Sequence, residues 1–212
     1  MDNTKVCDIK GNVYVVGGAC GGIGRAVAKK LHKHDAKLII MDRSRNQLEN
    51  LKKEICEVHT DNGNEPYIYE ADITEEAEME ELALFVEKTY GKVHGIINCA
   101  GILRVDQMLK TVVETSLNEW EKILDVNLTG TFLFNKAFIS MMVRQRYGDI
   151  LNISSVSGQQ GKAFDAPYCA SKFGIIGLTE SIAAELESYG VRVQCILPDA
   201  VDTQLWLQNG SS

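Results

Sequence analysis

Short, mostly apolar runs alternate along this chain with longer stretches in which apolar residues recur every three or four positions. The runs are Asn12–Val16, Leu38–Met41, Tyr67–Glu70, Gly95–Asn98, Asp149–Ile153 and Arg192–Leu197. Each is four to six residues long and rich in β-branched or aromatic side chains, the signature of strands buried on both faces. Helical spacing marks Arg25–Leu31, Asn46–Val58 and Glu75–Tyr90, the last an acidic helix with Leu82, Phe85 and Val86 on its apolar face. It also marks one long helical region from about Asn118 to Arg146, and a helix that holds Tyr168 and Lys172 and runs to about Tyr189. Strand–helix alternation with short connections predicts an α/β fold. About six parallel strands form a doubly wound sheet with helices on both faces, and the ligand crevice lies at the carboxyl ends of the strands. No repeat, low-complexity tract or Pro/Gly/Ser-rich linker interrupts the pattern, so residues 1–212 are expected to form one domain.

Candidate chemistry collects at the strand ends. After the first strand comes Gly17-Gly18-Ala19-Cys20-Gly21-Gly22-Ile23-Gly24, then a helix. Strand, glycine-rich turn and helix in that order aim backbone N–H groups and a helix dipole at one point, where side chains would obstruct a pyrophosphate. The second strand ends in Asp42, near the spacing at which a dinucleotide fold places its ribose-binding carboxylate. Tyr168 and Lys172 are four apart and share a helix face. Lys172 is expected beneath the Tyr168 hydroxyl, favouring phenolate and drawing its pKa toward the working pH of a general acid/base.

Composition narrows the field. With 212 residues, 45% hydrophobic and 24% charged, the chain suits a globule with a sizeable core. A net charge of −7 disfavours nucleic acid or an anionic membrane as partner. No apolar run reaches membrane-spanning length, and Met1–Lys5 lacks the pattern of a secretory signal. Six scattered cysteines without a Cys-x-x-Cys pair are expected to be reduced thiols, which points to the cytoplasm. Cys20 and Cys169 flank the candidate chemistry and are expected to make binding sensitive to thiol alkylation. The four histidines, His32, His34, His59 and His94, do not form a ligand pattern, so no metal is expected.

Several motifs in order make the chain resemble the short-chain dehydrogenase/reductase family, over residues from about 10 to 205. Gly18-Ala-Cys-Gly-Gly22-Ile-Gly24 matches the family's cofactor glycines, and Asn98-Cys-Ala100-Gly101 resembles its Asn-Asn-Ala-Gly. Asn127 lies in Val-Asn-Leu-Thr-Gly, and Ser155 stands thirteen residues before Tyr168. Pro198-Asp-Ala-Val201-Asp-Thr203 resembles the Pro-Gly-x-Val-x-Thr segment that closes over the nicotinamide. The resemblance implies a Rossmann-type dinucleotide domain in which Ser155 holds the substrate oxygen and Tyr168 moves the proton. Lys172 would hold the ribose and tune Tyr168, and Asn127 would anchor a water. It also implies cofactor contacts from Gly18, Gly22, Ile23 and Gly24, from Asp42, Asp72 and Ile73, from Asn98, Ala100 and Gly101, and from Pro198, Val201 and Thr203. Tyr168 and Lys172 would touch the cofactor as well.

The function implied is interconversion of a secondary alcohol and a ketone by hydride transfer. The other reading is a dinucleotide-binding protein with little turnover. Asp42 would repel a 2′-phosphate, so NAD is expected in preference to NADP, although Arg43 and Arg45 follow directly. Three departures stand out. Gly17 replaces the usual threonine and is expected to loosen the turn, Asp199 replaces a glycine, and the sequence stops at Ser212, where related enzymes continue for a few dozen residues. The last strand and much of the substrate lid are therefore expected to be missing, leaving the sixth strand at the sheet edge. A homodimer through the helices carrying Asn127 and Tyr168 is the expected assembly.

Overall fold

Both-sided burial is visible residue by residue in the computed structural model, which describes residues 9–58, 64–203 and 205. The elements run β1 (Val13–Gly17), α1 (Gly22–Lys33), β2 (Lys37–Asp42), α2 (Arg45–Val58), β3 (Tyr67–Glu70), α3 (Glu76–Tyr90) and β4 (Gly95–Asn98). They continue with α4 (Leu117–Leu124), α5 (Gly130–Gln145), β5 (Gly148–Ile153), α6 (Ala166–Leu186) and β6 (Val191–Ile196). All six strands are parallel in one sheet, in the order β3-β2-β1-β4-β5-β6. Successive side chains of a strand point to opposite faces, and here each face meets a core. Val13, Val15, Ile39 and Ile96 pack with α3, α5 and the end of α6. Their neighbours Val16, Ile40 and Ile97 join the core that contains Ala28 of α1 and Leu48, Leu51 and Ile55 of α2. This is why the strands read as unbroken apolar runs rather than alternating ones.

The expected long helix from Asn118 to Arg146 is three pieces. Between α4 and α5 the backbone takes a π turn over Asp125–Thr129, which carries Asn127 fully buried. A π turn inserts one residue into the helical repeat and rotates the residues beyond it, so the apolar spacing on each side still reads as helix. Among the described residues no helix is long and apolar enough to cross a membrane.

At the opposite end of the sheet from the candidate chemistry, His94 Nδ1 accepts the Val13 N–H at 2.9 Å. That bond needs the ring neutral at Nδ1, and burial, with Lys92 adding, holds the His94 pKa below its ordinary value of 6.5. A depressed folded pKa gives stability that is present above the unfolded value and lost as pH falls through the folded one. The unfolding midpoint in urea is therefore expected to fall between pH 7 and pH 5. In His94→Asn, whose amide oxygen can accept the same N–H without titrating, that part of the fall should vanish.

Candidate active site

The strand order reverses at β1, with β2 on one side and β4 on the other, so the loops after β1 and β4 part and leave a crevice. Gly17 and Asn98 are in register, which brings the two turns that follow into contact. Gly18 has φ +64°, and a Cβ on it would lie 2.4 Å from the Ala100 backbone nitrogen. A Cβ on Gly24 would lie 2.2 Å from the Gly18 carbonyl. Only glycine lets the turn, the neighbouring strand end and the first turn of α1 pack this closely. α1 begins at Gly22, beside a partly buried Ile23, with no side-chain cap and no acidic residue in its first turn. Its leading N–H groups thus remain available for an anion. The space where Gly17 would carry a side chain is filled instead by Phe134, whose ring would stand 3.3 Å from an added Cβ. Phe134 is fully buried, so the turn is braced by core packing rather than loosened.

A cavity of about 860 Å³ opens here, bounded by Gly18, Gly22, Asp42, Asp72, Ile73 and Gly101 among others. Asp42 keeps its charge in place through the turn itself: one carboxylate oxygen accepts the Cys20 N–H at 3.0 Å and the other the Arg43 N–H at 2.8 Å. Arg43 lines the cavity, whereas Arg45 turns away to Glu49. Asp72 accepts the N–H and hydroxyl of Thr74, and these bonds hold its carboxyl below the usual range against the desolvation that opposes them. At the far end, Val156 N–H donates to the Pro198 carbonyl, Val201 is exposed, and the Thr203 methyl covers Gly22.

Two adjacent serines separate cleanly. Ser154 is committed to the fold, its hydroxyl donating to the Lys172 carbonyl at 2.8 Å. Ser155 accepts the Ser157 N–H at 3.1 Å, capping a short 3-10 turn, and its hydroxyl also acts on the Tyr168 phenol, favouring its ionised form. Tyr168 sits in the first turn of α6, packed against Leu103, Ile123 and Leu205. The expected lowering of its pKa does not occur. Burial pushes the phenol above 10, with Asp165 and Cys169 adding and Ser155 opposing. Lys172 does not offset this burial: its Nζ donates to the Ile153 carbonyl at 2.9 Å and lies 5.5 Å from the centre of the Tyr168 ring. Burial in turn brings the Lys172 ammonium down to about 8, with Cys195 and Cys99 opposing.

Asn127 spends its side chain on the loop after β4, accepting the Ile102 N–H at 2.8 Å and donating to the Ile102 carbonyl and to Ser171. Asn98 likewise holds a turn, accepting the Ala100 N–H and donating to Thr131, and its side chain is absent from the cavity wall. Sequence reasoning missed Thr131 and Ser171, common residues with no spacing signal, and a buried ion pair between Arg104 and Asp165. The five described cysteines are free thiols. Burial and Asp42 push Cys20 up to about 12, which makes it a poor nucleophile at neutral pH, against the expected alkylation sensitivity.

A family model described as short chain dehydrogenase matches residues 12–211. An uncharacterised oxidoreductase of Staphylococcus aureus is 31% identical over 194 residues, covering 91% of this chain and 79% of its own. Levodione reductase superposes with a TM-score of 0.89 at 30% identity, over 95% of this chain and 76% of that one. Xylitol dehydrogenase in its NAD⁺-bound form superposes with a TM-score of 0.84 at 32% identity, over 90% of this chain and 71% of that one.

Proposed function

The chain belongs to the short chain dehydrogenase family of oxidoreductases, and from that premise we propose that it interconverts a secondary alcohol and a ketone with NAD(H), Tyr168 acting as acid/base. The observation that carries the proposal is the placing of the Ser155 hydroxyl where it acts on the Tyr168 phenol, together with a glycine-built cavity of about 860 Å³. The cavity fits a dinucleotide on its own terms. Glycine leaves space at Gly101, where a Cβ would stand 3.5 Å from Lys172 Nζ. The open α1 N-terminus suits a pyrophosphate, Asp42 suits ribose hydroxyls, and Asp72 with Ile73 suits an adenine edge. Lys172 and Tyr168 would then hold the second ribose.

The nicotinamide supplies the hydride chemistry. The chain's own part is to orient and to move a proton. The Ser155 hydroxyl, already fixed by Ser157, is a preorganised donor to the oxygen that gains charge. Tyr168 gives its proton to that oxygen in reduction and takes it in oxidation. A hydroxyl-bearing carbon is the reacting centre this arrangement serves, in keeping with the names of the levodione reductase and xylitol dehydrogenase neighbours. Exposed Phe132 on α5 and Phe173 on α6 support a homodimer through the helices of Asn127 and Tyr168, and the free thiols support a cytoplasmic site of action.

Titration with NADH and NADPH by intrinsic fluorescence, followed by a ketone-reduction screen read at the nicotinamide absorbance, tests the reading. NADH binding with turnover supports it; binding with no turnover across a broad panel supports a dinucleotide-binding protein instead. Cofactor choice has its own test. Asp42→Asn keeps an acceptor for one of the Cys20 and Arg43 N–H groups and removes the charge that faces a 2′-phosphate. The preference for NADH over NADPH is expected to narrow by about tenfold, equivalent to about 1.4 kcal/mol. An unchanged ratio of dissociation constants refutes this role for Asp42.

A further inference from the structure

We propose that the buried Arg104–Asp165 ion pair is a positioning device that locks the loop after β4 onto the first turn of α6 and sets the electric field at the Tyr168 hydroxyl. The proposal rests on Tyr168 being the acid/base.

The pair joins residues 61 apart in sequence, and both side chains are only 5% exposed. Asp165 is the N-cap of α6, a position where aspartate ordinarily bonds the N–H of the second or third helical residue. The second residue here is Pro167, which has no N–H, and the third is Tyr168 itself. Asp165 makes no such bond and turns its carboxylate to Arg104 instead. The loop is stitched down just ahead of that contact as well. Asn127 clamps the Ile102 backbone through both its N–H and its carbonyl, and Leu103 packs on Ile123 and Tyr168. Arg104 is the third fastening, and it also lines the cavity. The segment that roofs the crevice is thereby held to the helix turn that carries the phenol.

The electrostatic half follows from burial. A solvated aspartate three residues from Tyr168 would be screened, whereas this one acts through protein, and it opposes ionisation of the phenol. Arg104 offsets it. The other groups around the hydroxyl are Cys169 and Lys172 on the same helix and the Ser155 hydroxyl from the loop after β5. Beyond Lys172 lie Cys99 at the end of β4 and Cys195 on β6. From α4, Lys122 reaches the cavity and Glu119 is tied to Lys110. Asp165 is the carboxylate among them that acts on the phenol, so neutralising it or freeing it should move Tyr168 in opposite directions.

The experiment compares Arg104→Gln, Arg104→Lys, Asp165→Asn, the Arg104→Gln/Asp165→Asn double variant and Tyr168→Phe. Two readouts are taken: kcat/KM for alcohol oxidation against pH, and tyrosinate absorbance against pH with the Tyr168→Phe titration subtracted, which isolates one phenol without substrate. Arg104→Gln is expected to shift the midpoint alkaline by about one pH unit and Asp165→Asn to shift it acid by a similar amount. The double variant should return close to the unaltered protein, and Arg104→Lys should keep the midpoint while losing kcat through poorer geometry. Loss of packing alone would lower rates without moving the two midpoints in opposite senses. Should Arg104→Gln fail to fold, Asp165→Asn and Arg104→Lys still decide the matter. Midpoints that stay put, or shift the same way, in variants built on a protein that Tyr168→Phe inactivates overturn this proposal alone. Full activity of Tyr168→Phe overturns the Tyr168 reading and the proposal with it.

Discussion

Tyr168→Phe is expected to lower turnover by about 10²- to 10⁴-fold, the range over which a positioned acid/base acts, while leaving NADH affinity nearly unchanged. The substitution removes one hydroxyl and little else. The ring keeps its packing on Leu103 and Ile123, and Ser155 keeps the Ser157 N–H that orients it. The glycine turn, Asp42, Asp72 and Lys172 are untouched, so only the Tyr168 share of one ribose contact is lost, and a large fall in cofactor affinity would signal a disturbed fold. A shift in KM without a fall in kcat would mean that the phenol binds substrate but moves no proton. Retained turnover would take Tyr168 out of the mechanism. Because burial holds the phenol above 10, the protein is suited at neutral pH to donate the proton, which favours ketone reduction as the easier direction to detect. A screen in both directions, run at pH 7 and pH 9, should show oxidation gaining more from the higher pH.

The parts of this molecule that were legible in its sequence are those set by local chemistry repeated many times. Strands such as Val13–Gly17 and Lys37–Asp42 announce themselves because each face meets a core, and the turn after β1 does so because Gly18 and Gly24 stand where a Cβ would strike backbone. What stayed hidden depends on contacts between distant residues. The π turn at Asn127 changes only the backbone hydrogen-bond register, and helical spacing on either side conceals it. The choice between Ser154 and Ser155 follows from which hydroxyl meets the Lys172 carbonyl, a contact 18 residues long. The spacing of Tyr168 and Lys172 correctly put both on one helix, but it could not show that the ammonium would find the Ile153 carbonyl on β5. Arg104 and Asp165 carry no motif at all; only the fold makes them a pair.

Lys172→Met is expected to remove turnover and yet make the protein more stable at pH 7. Lys172 is 4% exposed, and burial lowers its pKa from 10.5 to about 8. At 1.36 kcal/mol per unit, keeping that ammonium buried at neutral pH costs about 3 kcal/mol. Methionine fills similar volume without the charge, but it leaves the Ile153 carbonyl without its donor, which takes back about 1–2 kcal/mol and leaves a net gain of about 1–2 kcal/mol. The pH dependence identifies the cause. A lysine whose folded pKa is depressed contributes stability above its unfolded value, and that stability is lost as pH falls through the folded value. Between about pH 8 and pH 10.5 the unfolded chain holds a proton that folded Lys172 has released, so the stability of the unaltered protein gains from this group as pH rises. Cys20 and Cys99, pushed up from 9.0 to about 12, work the other way above pH 9, which is why the difference between the two proteins is the quantity to follow. Urea midpoints at pH 7, 8, 9 and 10 should show the variant ahead at pH 7, with its lead shrinking from pH 8 upward and then reversing. A variant less stable at pH 7 would mean that the site solvates the ammonium well, and that the lysine serves the fold. A variant more stable and inactive would mean that the chain retains a destabilising buried cation, poised within about a unit of neutral pH, because its chemistry needs it.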